Sequence, residues 1–148
     1  LLLRAATVAD ISTITEFNVA MAAEAEGVRL DPEAARQGVE HAVAHPEHAR
    51  YFVADQDGRV IGQLMLTYEW SDWRDAEVWW FQSVYVRPSC RRKGIFSSMY
   101  SYVKDEADKR GVAGLRLYVE SNNLTACKTY ESLGMTSEHY KLYEWLRN

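Results

Sequence analysis

The 148-residue chain has little of what marks specialised architectures. Its two cysteines, Cys90 and Cys127, form no Cys-x-x-Cys pair, so neither a disulfide framework nor a thiolate metal or redox site is implied. Free thiols in a reducing cytosol are the expectation. Three prolines and eight glycines, unclustered and without period, exclude a collagen-like chain and leave no flexible linker at which to divide it. No apolar run approaches the ~20 residues that span a bilayer, and the opening Leu1-Leu2-Leu3 is too short for a signal-peptide core. A cytoplasmic protein with no membrane partner is expected. There is no basic excess either: 17 Lys and Arg stand against 21 Asp and Glu, a net charge of −4, which argues against a nucleic-acid partner.

What is present suits one ordinary domain. Hydrophobic residues at 47% are enough to build a core, which excludes disorder, and a chain of this length buries about two-thirds of its unfolded surface. Residues 1–148 are expected to form a single domain of the α/β (α+β) class. Leu1–Ala6 reads as an edge strand. Thr7 and Asp10 form a capping box ahead of a helix with Ile11, Ile14, Phe17 and Met21 on one face, ended by Gly27. Asp31-Pro32 starts a second helix and Pro46 closes it.

Strands are expected at 51–54 and 60–70, joined by the hairpin pair Asp57-Gly58, with a bulge at Gly62. Val78–Val86 is apolar on both faces apart from Gln82 and Ser83, as in a strand covered on both sides. A helix follows from Arg92 to Arg110, then a strand at 115–119 and a short helix at 123–133. Alternation in the tail, Met135–Trp145, predicts a last strand or hairpin, and its aromatics make a homodimer plausible.

One stretch points to chemistry. A strand feeding a helix through Arg87-Pro88-Ser89-Cys90-Arg91-Arg92-Lys93-Gly94 leaves the first helical N–H groups without partners, at the positive end of the dipole. Cations are disfavoured there, so the run Arg91-Arg92-Lys93 calls for a nearby anion, a phosphate or pyrophosphate; the alternative is a basic first turn packed against Asp105 and Glu106 or simply solvated. His41, His45 and His48 have helical spacing, but no carboxylate pattern accompanies them; a solvated face is expected, and no metal.

Ser83-Val84-Tyr85-Val86-Arg87-Pro88 followed by Arg91-Arg92-Lys93-Gly94-Ile95-Phe96 resembles the acetyl-CoA segment of the GCN5-related N-acetyltransferase (GNAT) superfamily, whose loop reads Arg/Gln-x-x-Gly-x-Gly/Ala. Phe96 departs from it, standing where the family has a small residue. About thirty residues on, Asn123-x-x-Ala126-x-x-x-Tyr130-x-x-x-Gly134-Met135 resembles the family's Asn-x-x-Ala-x-x-x-Tyr-x-x-x-Gly-Phe signature, with Met135 for Phe. Order and separation agree over essentially the whole chain.

The resemblance implies a mixed, mostly antiparallel central sheet flanked by about four helices, and an acetyl-CoA-dependent N-acetyltransferase acting on a primary amine of a small molecule or peptide by direct attack. Arg91, Arg92, Lys93, Gly94, Ile95 and Phe96 would hold the pyrophosphate. The backbone of Val84, Tyr85 and Val86 would pair with the pantetheine arm and polarise the thioester carbonyl, and Asn123 would contact the same arm. Tyr130 would protonate the leaving thiolate. Many members carry a basic Glu two residues before the first Val, where this chain has Gln82, which takes no proton. Glu77 is the expected base instead, ahead of Glu69, Asp72 and Glu120. Glu24, Trp70 and Gln82 are the expected acceptor contacts, within an acidic, aromatic rim that would attract a cationic amine. The alternative is a catalytically weak acyl-CoA-binding sensor or interaction module.

Overall fold

A computed structural model describes residues 1–147. Five strands and four α-helices follow in the order β1 (Leu2–Ala5), α1 (Ile11–Glu26), α2 (Pro32–Ala44), β2 (Arg50–Gln56), β3 (Arg59–Ser71), β4 (Ala76–Val86), α3 (Ile95–Arg110), β5 (Gly114–Leu117) and α4 (Leu124–Ser132). The strands form one mixed sheet in the order β1-β2-β3-β4-β5, antiparallel except for the β4–β5 pair. Two compact units divide the chain. Residues 1–118 contain the whole sheet with α1, α2 and α3, and residues 119–148 contain α4.

Helices cover both faces of the sheet, which is why its central strands are apolar on both sides. On one face, Ile95, Met99, Val103 and Ala107 of α3 pack against Phe52, Leu64, Leu66, Trp79 and Phe81. On the other, Ile11, Ile14 and Phe17 of α1 and Val39 and Ala42 of α2 pack against Tyr51, Val53, Val60 and Tyr85. The apolar stripes read from helical period are thus the buried ones, with Met21 and Tyr102 at their margins.

The local signals ahead of α1 also hold. The Thr7 N–H donates to Asp10 Oδ2 at 2.8 Å, completing the capping box, and Asp10 in turn takes two bonds from the Arg4 guanidinium, at 2.8 and 3.0 Å. Arg4 holds the Asp10 carboxyl below its ordinary pKa against the opposing effect of burial. Asp57 and Gly58 both adopt positive φ, 53° and 85°, the pattern of a two-residue turn matched to strand twist.

Two expectations need correction. No strand forms in the tail among the described residues: 135–147 contains no regular element, and Leu142, Tyr143 and Trp145 are exposed. Alternation alone does not make a strand; the backbone needs a paired neighbour, and none is registered there. The third helix starts at Ile95 rather than Arg92, because Arg92 and Gly94 turn the chain at positive φ, 63° and 78°.

Candidate active site

The site is built on an irregularity in β4. Its pairing with β3 skips between Tyr85↔Gln63 and Gln82↔Met65, so Ser83 and Val84 together oppose the single residue Leu64. This is a β-bulge, and Ser83 occupies it at φ 51°, left-handed backbone that costs a non-glycine residue about 1–3 kcal/mol. The extra residue reverses the alternation. Upstream, Trp79 and Phe81 face α3; downstream, Val84 and Val86 pack on that side and Tyr85 lies in the core beneath α1.

The bulge is held by a chain of polar side chains that ends in the core. Gln63, fully buried on β3, donates from Nε2 to the Ser83 carbonyl at 3.0 Å and to Asn18 Oδ1 at 2.8 Å. Asn18 Nδ2 donates to the Tyr51 hydroxyl at 3.1 Å. Burial pushes the Tyr51 phenol above its ordinary pKa, with the Asn18 and Ser83 side chains opposing. Gln63 Oε1 is buried with no partner, an omission that costs about 1–3 kcal/mol.

β5 pairs only with Val78–Phe81. Among the described residues, Gln82–Val86 therefore have no strand partner on that side. This edge leads into the loop: the Arg87 N–H bonds to Ile61 O at 2.8 Å and its Nε to Val60 O at 2.8 Å, a short 3₁₀ turn covers Pro88–Cys90, and α3 begins with Gly94 as its cap. Gly94 offers no side-chain oxygen, so nothing caps the first turn from within the side chains. Arg92 and Lys93 are exposed and, among the described residues, form no ion pair. Phe96 turns its ring inward, 6.2 Å from Phe81 and 6.3 Å from Tyr100, so its bulk goes to the core instead of the turn.

The structure brings Glu24 and Arg91 together. The guanidinium grips both carboxylate oxygens, at 2.7 and 2.9 Å, while its Nε donates to Val86 O at 2.9 Å. The pair lowers the pKa of Glu24 and raises that of Arg91. Gln82 lies beside the bulge and donates to Thr67 Oγ1 at 2.7 Å. Glu69 takes bonds from Trp80 Nε1 at 2.8 Å and Arg116 at 2.9 Å, which hold its carboxyl below the ordinary range and make it a poor base.

Glu77 and Trp70 are not brought to the bulge. They face each other in register at the far end of the hairpin, and Glu77 lies seven positions before Val84, about 23 Å along a strand. Glu77 instead borders a cavity of about 610 Å³ lined by Arg50, Tyr68, Trp79 and Arg110. In the second unit, Asn123 caps α4, its Oδ1 accepting the Ala126 N–H at 3.1 Å. Burial, with the Cys127 thiol second, raises the pKa of Tyr130.

Asn18, Tyr51, Gln63 and Ser83 are the residues that reading the sequence missed. Asn18 stands four residues after Ile14 and three before Met21, inside the apolar stripe of α1, and Gln63 interrupts an apolar strand. A polar residue in an apolar stripe was the available signal.

The architecture recurs in solved structures. One from Clostridium difficile 630, described as a possible acetyltransferase, is 41% identical, with a TM-score of 0.91 over 99% of this chain and 97% of its own. A predicted acetyltransferase from Clostridium acetobutylicum, solved with acetyl-CoA, shares the fold at a TM-score of 0.75 and 16% identity, over 99% of this chain and 94% of its own. A curated relative, streptothricin acetyltransferase of Escherichia coli, is 30% identical over 80 residues, 54% of this chain and 43% of that protein, so the match spans less than half of the relative. Fold and strand–loop–helix unit together place the protein among the acetyltransferase folds. The profile of the Acetyltransferase (GNAT) family matches residues 20–135, and the chain belongs to that family.

Proposed function

We propose that this protein is an acetyl-CoA-dependent N-acetyltransferase that acts on a primary amine of a small molecule or peptide by direct attack. The observation that carries the reading is the continuous unit from Ser83 to Ile95: a bulged strand whose edge lacks a β5 partner, running into a glycine-capped helix start. An extended, amide-bearing arm adds to such an edge as a strand would, and an anion sits at such a helix start. Acetyl-CoA carries a pantetheine arm and a pyrophosphate in that order. Family membership supports the same donor.

In this reading the amide groups of Val84, Tyr85 and Val86 align the arm, and one of them takes the charge that develops on the thioester oxygen. The loop amides with Arg92 and Lys93 hold the pyrophosphate. Arg91 contributes less than its charge suggests, since Glu24 already occupies its guanidinium face. The amine nitrogen attacks the carbonyl carbon, an N–C bond forms and the C–S bond breaks. Tyr130 gives its proton to the departing thiolate, an assignment carried by the Asn-x-x-Ala-x-x-x-Tyr motif; its raised pKa keeps the phenol protonated at neutral pH. The ammonium proton leaves through water: Gln82 takes none, Glu69 is held ionised, and Glu77 stands too far along the strand. Gln82 stays in the proposal as a polar contact for the acceptor, and Asn123 as a contact for the arm; Trp70 does not.

A thiol-release assay over a panel of amines and peptides tests this, with a mass gain of one acetyl group on the acceptor as the expected product. Acetyl-CoA binding without turnover on any acceptor would favour the sensor reading, consistent with the absence of a carboxylate at position 82.

A further inference from the structure

The polar chain Tyr51–Asn18–Gln63–Ser83 ties β2, α1, β3 and β4 together at the bulge. Its placement is costly. Gln63 uses its amide nitrogen twice and leaves Oε1 without a partner in a fully buried position, and Ser83 is held in left-handed backbone. A methionine would remove Oε1 but would leave the Ser83 carbonyl and Asn18 Oδ1 without this donor.

Its geometric effect is specific. Gln63 Nε2 fixes the Ser83 carbonyl, and in a planar trans peptide the next N–H, that of Val84, points the opposite way. Holding one carbonyl therefore aims one amide, within the stretch that has no β5 partner. We propose that Gln63, braced by Asn18 and Tyr51, is a positioning residue for acetyl transfer: it sets the bulge so that the Val84 amide is already aimed at the thioester oxygen before the donor arrives. This rests on the acetyltransferase reading above. Removing an oxyanion donor outright costs roughly 10²–10³ in turnover. Misaiming one should cost about 10- to 100-fold.

The experiment begins with acetyl-CoA binding to the wild-type protein by calorimetry. No binding by folded protein overturns the acetyltransferase reading and the proposal together. With binding present, Gln63→Met is expected to fold with a modestly lower melting temperature, since two acceptors lose their donor, to change the KM for acetyl-CoA less than about threefold, and to lower kcat about 10- to 100-fold in the folded protein. Unchanged kcat, or a loss matched by loss of folded protein, overturns the proposal alone. Gln63→Glu supplies a readout that a space-filling role would not move. Only the protonated carboxyl can donate to the Ser83 carbonyl, and burial favours that form. The Tyr51 phenol, the titratable member of the polar chain, stays neutral throughout this range. The kcat of this variant relative to wild type should therefore rise at least about fivefold from pH 8 to pH 6; a flat ratio counts against the proposal. If no acceptor is found, the Val84 amide resonance serves: acetyl-CoA should shift it in the wild type and not in Gln63→Met, and an equal shift in both overturns the proposal.

Discussion

Asp10 shows how one titratable group can carry two structural duties. Asp10 is nearly buried, closes the capping box and takes the Arg4 guanidinium, so its folded pKa lies below its unfolded one. Its contribution is complete above about pH 4 and is lost as pH falls through the lower, folded value. Asp10→Asn should therefore cost about 2 kcal/mol at pH 7, and the gap to the wild type should narrow below pH 4 in thermal melts. Tyr130→Phe should lower kcat about 100-fold while acetyl-CoA affinity changes little; unchanged turnover with every active acceptor would remove its acid role. At this scale the sequence was legible where the signal is local, as in the Thr7–Asp10 capping box and the Asp57-Gly58 turn. It was opaque where the role depends on contacts between distant elements. Glu24 was read as an acceptor contact and is the partner of Arg91, 67 residues away.

Among the elements, the loop into α3 admits a clean test. A Cβ at Gly94 would meet nothing within 4 Å, so space does not forbid a side chain there; the positive φ adds about 1 kcal/mol of strain. Gly94→Asn and Gly94→Asp should fold with similar melting temperatures, because both tolerate left-handed backbone. Calorimetry should nonetheless show acetyl-CoA affinity falling more than tenfold further in the Asp variant, where a carboxylate faces the anion; equal affinities would argue against the loop assignment. Helices and antiparallel strands were readable because period and caps are local. The bulge at Ser83 was not, since a run apolar on both faces hides a change of side, and the tail mimicked a strand it does not form.

Across the whole molecule, charge sets up an opposition between the bulk and one spot. A net charge of −4 repels a polyanionic donor, whereas exposed Arg92 and Lys93 attract it locally. Salt screens interactions beyond about 8–10 Å, so rising ionic strength should weaken acetyl-CoA binding to the wild type. In the Arg92→Ala, Lys93→Ala double variant, binding should be about 3- to 10-fold weaker and its salt dependence shallower, because two of the exposed charges that attract the donor are gone. A titration series at several salt concentrations reads both slopes, and parallel slopes would place the attraction elsewhere. The bulge also has a consequence for how the strand can change over time. A strand is a wave of period two, and one extra residue shifts its phase by half a cycle, so the segment before Ser83 and the segment after it are out of step. Upstream positions keep time with β5 and downstream positions with the loop. A single-residue deletion there would restore the common phase and turn every side chain on one half toward the wrong layer.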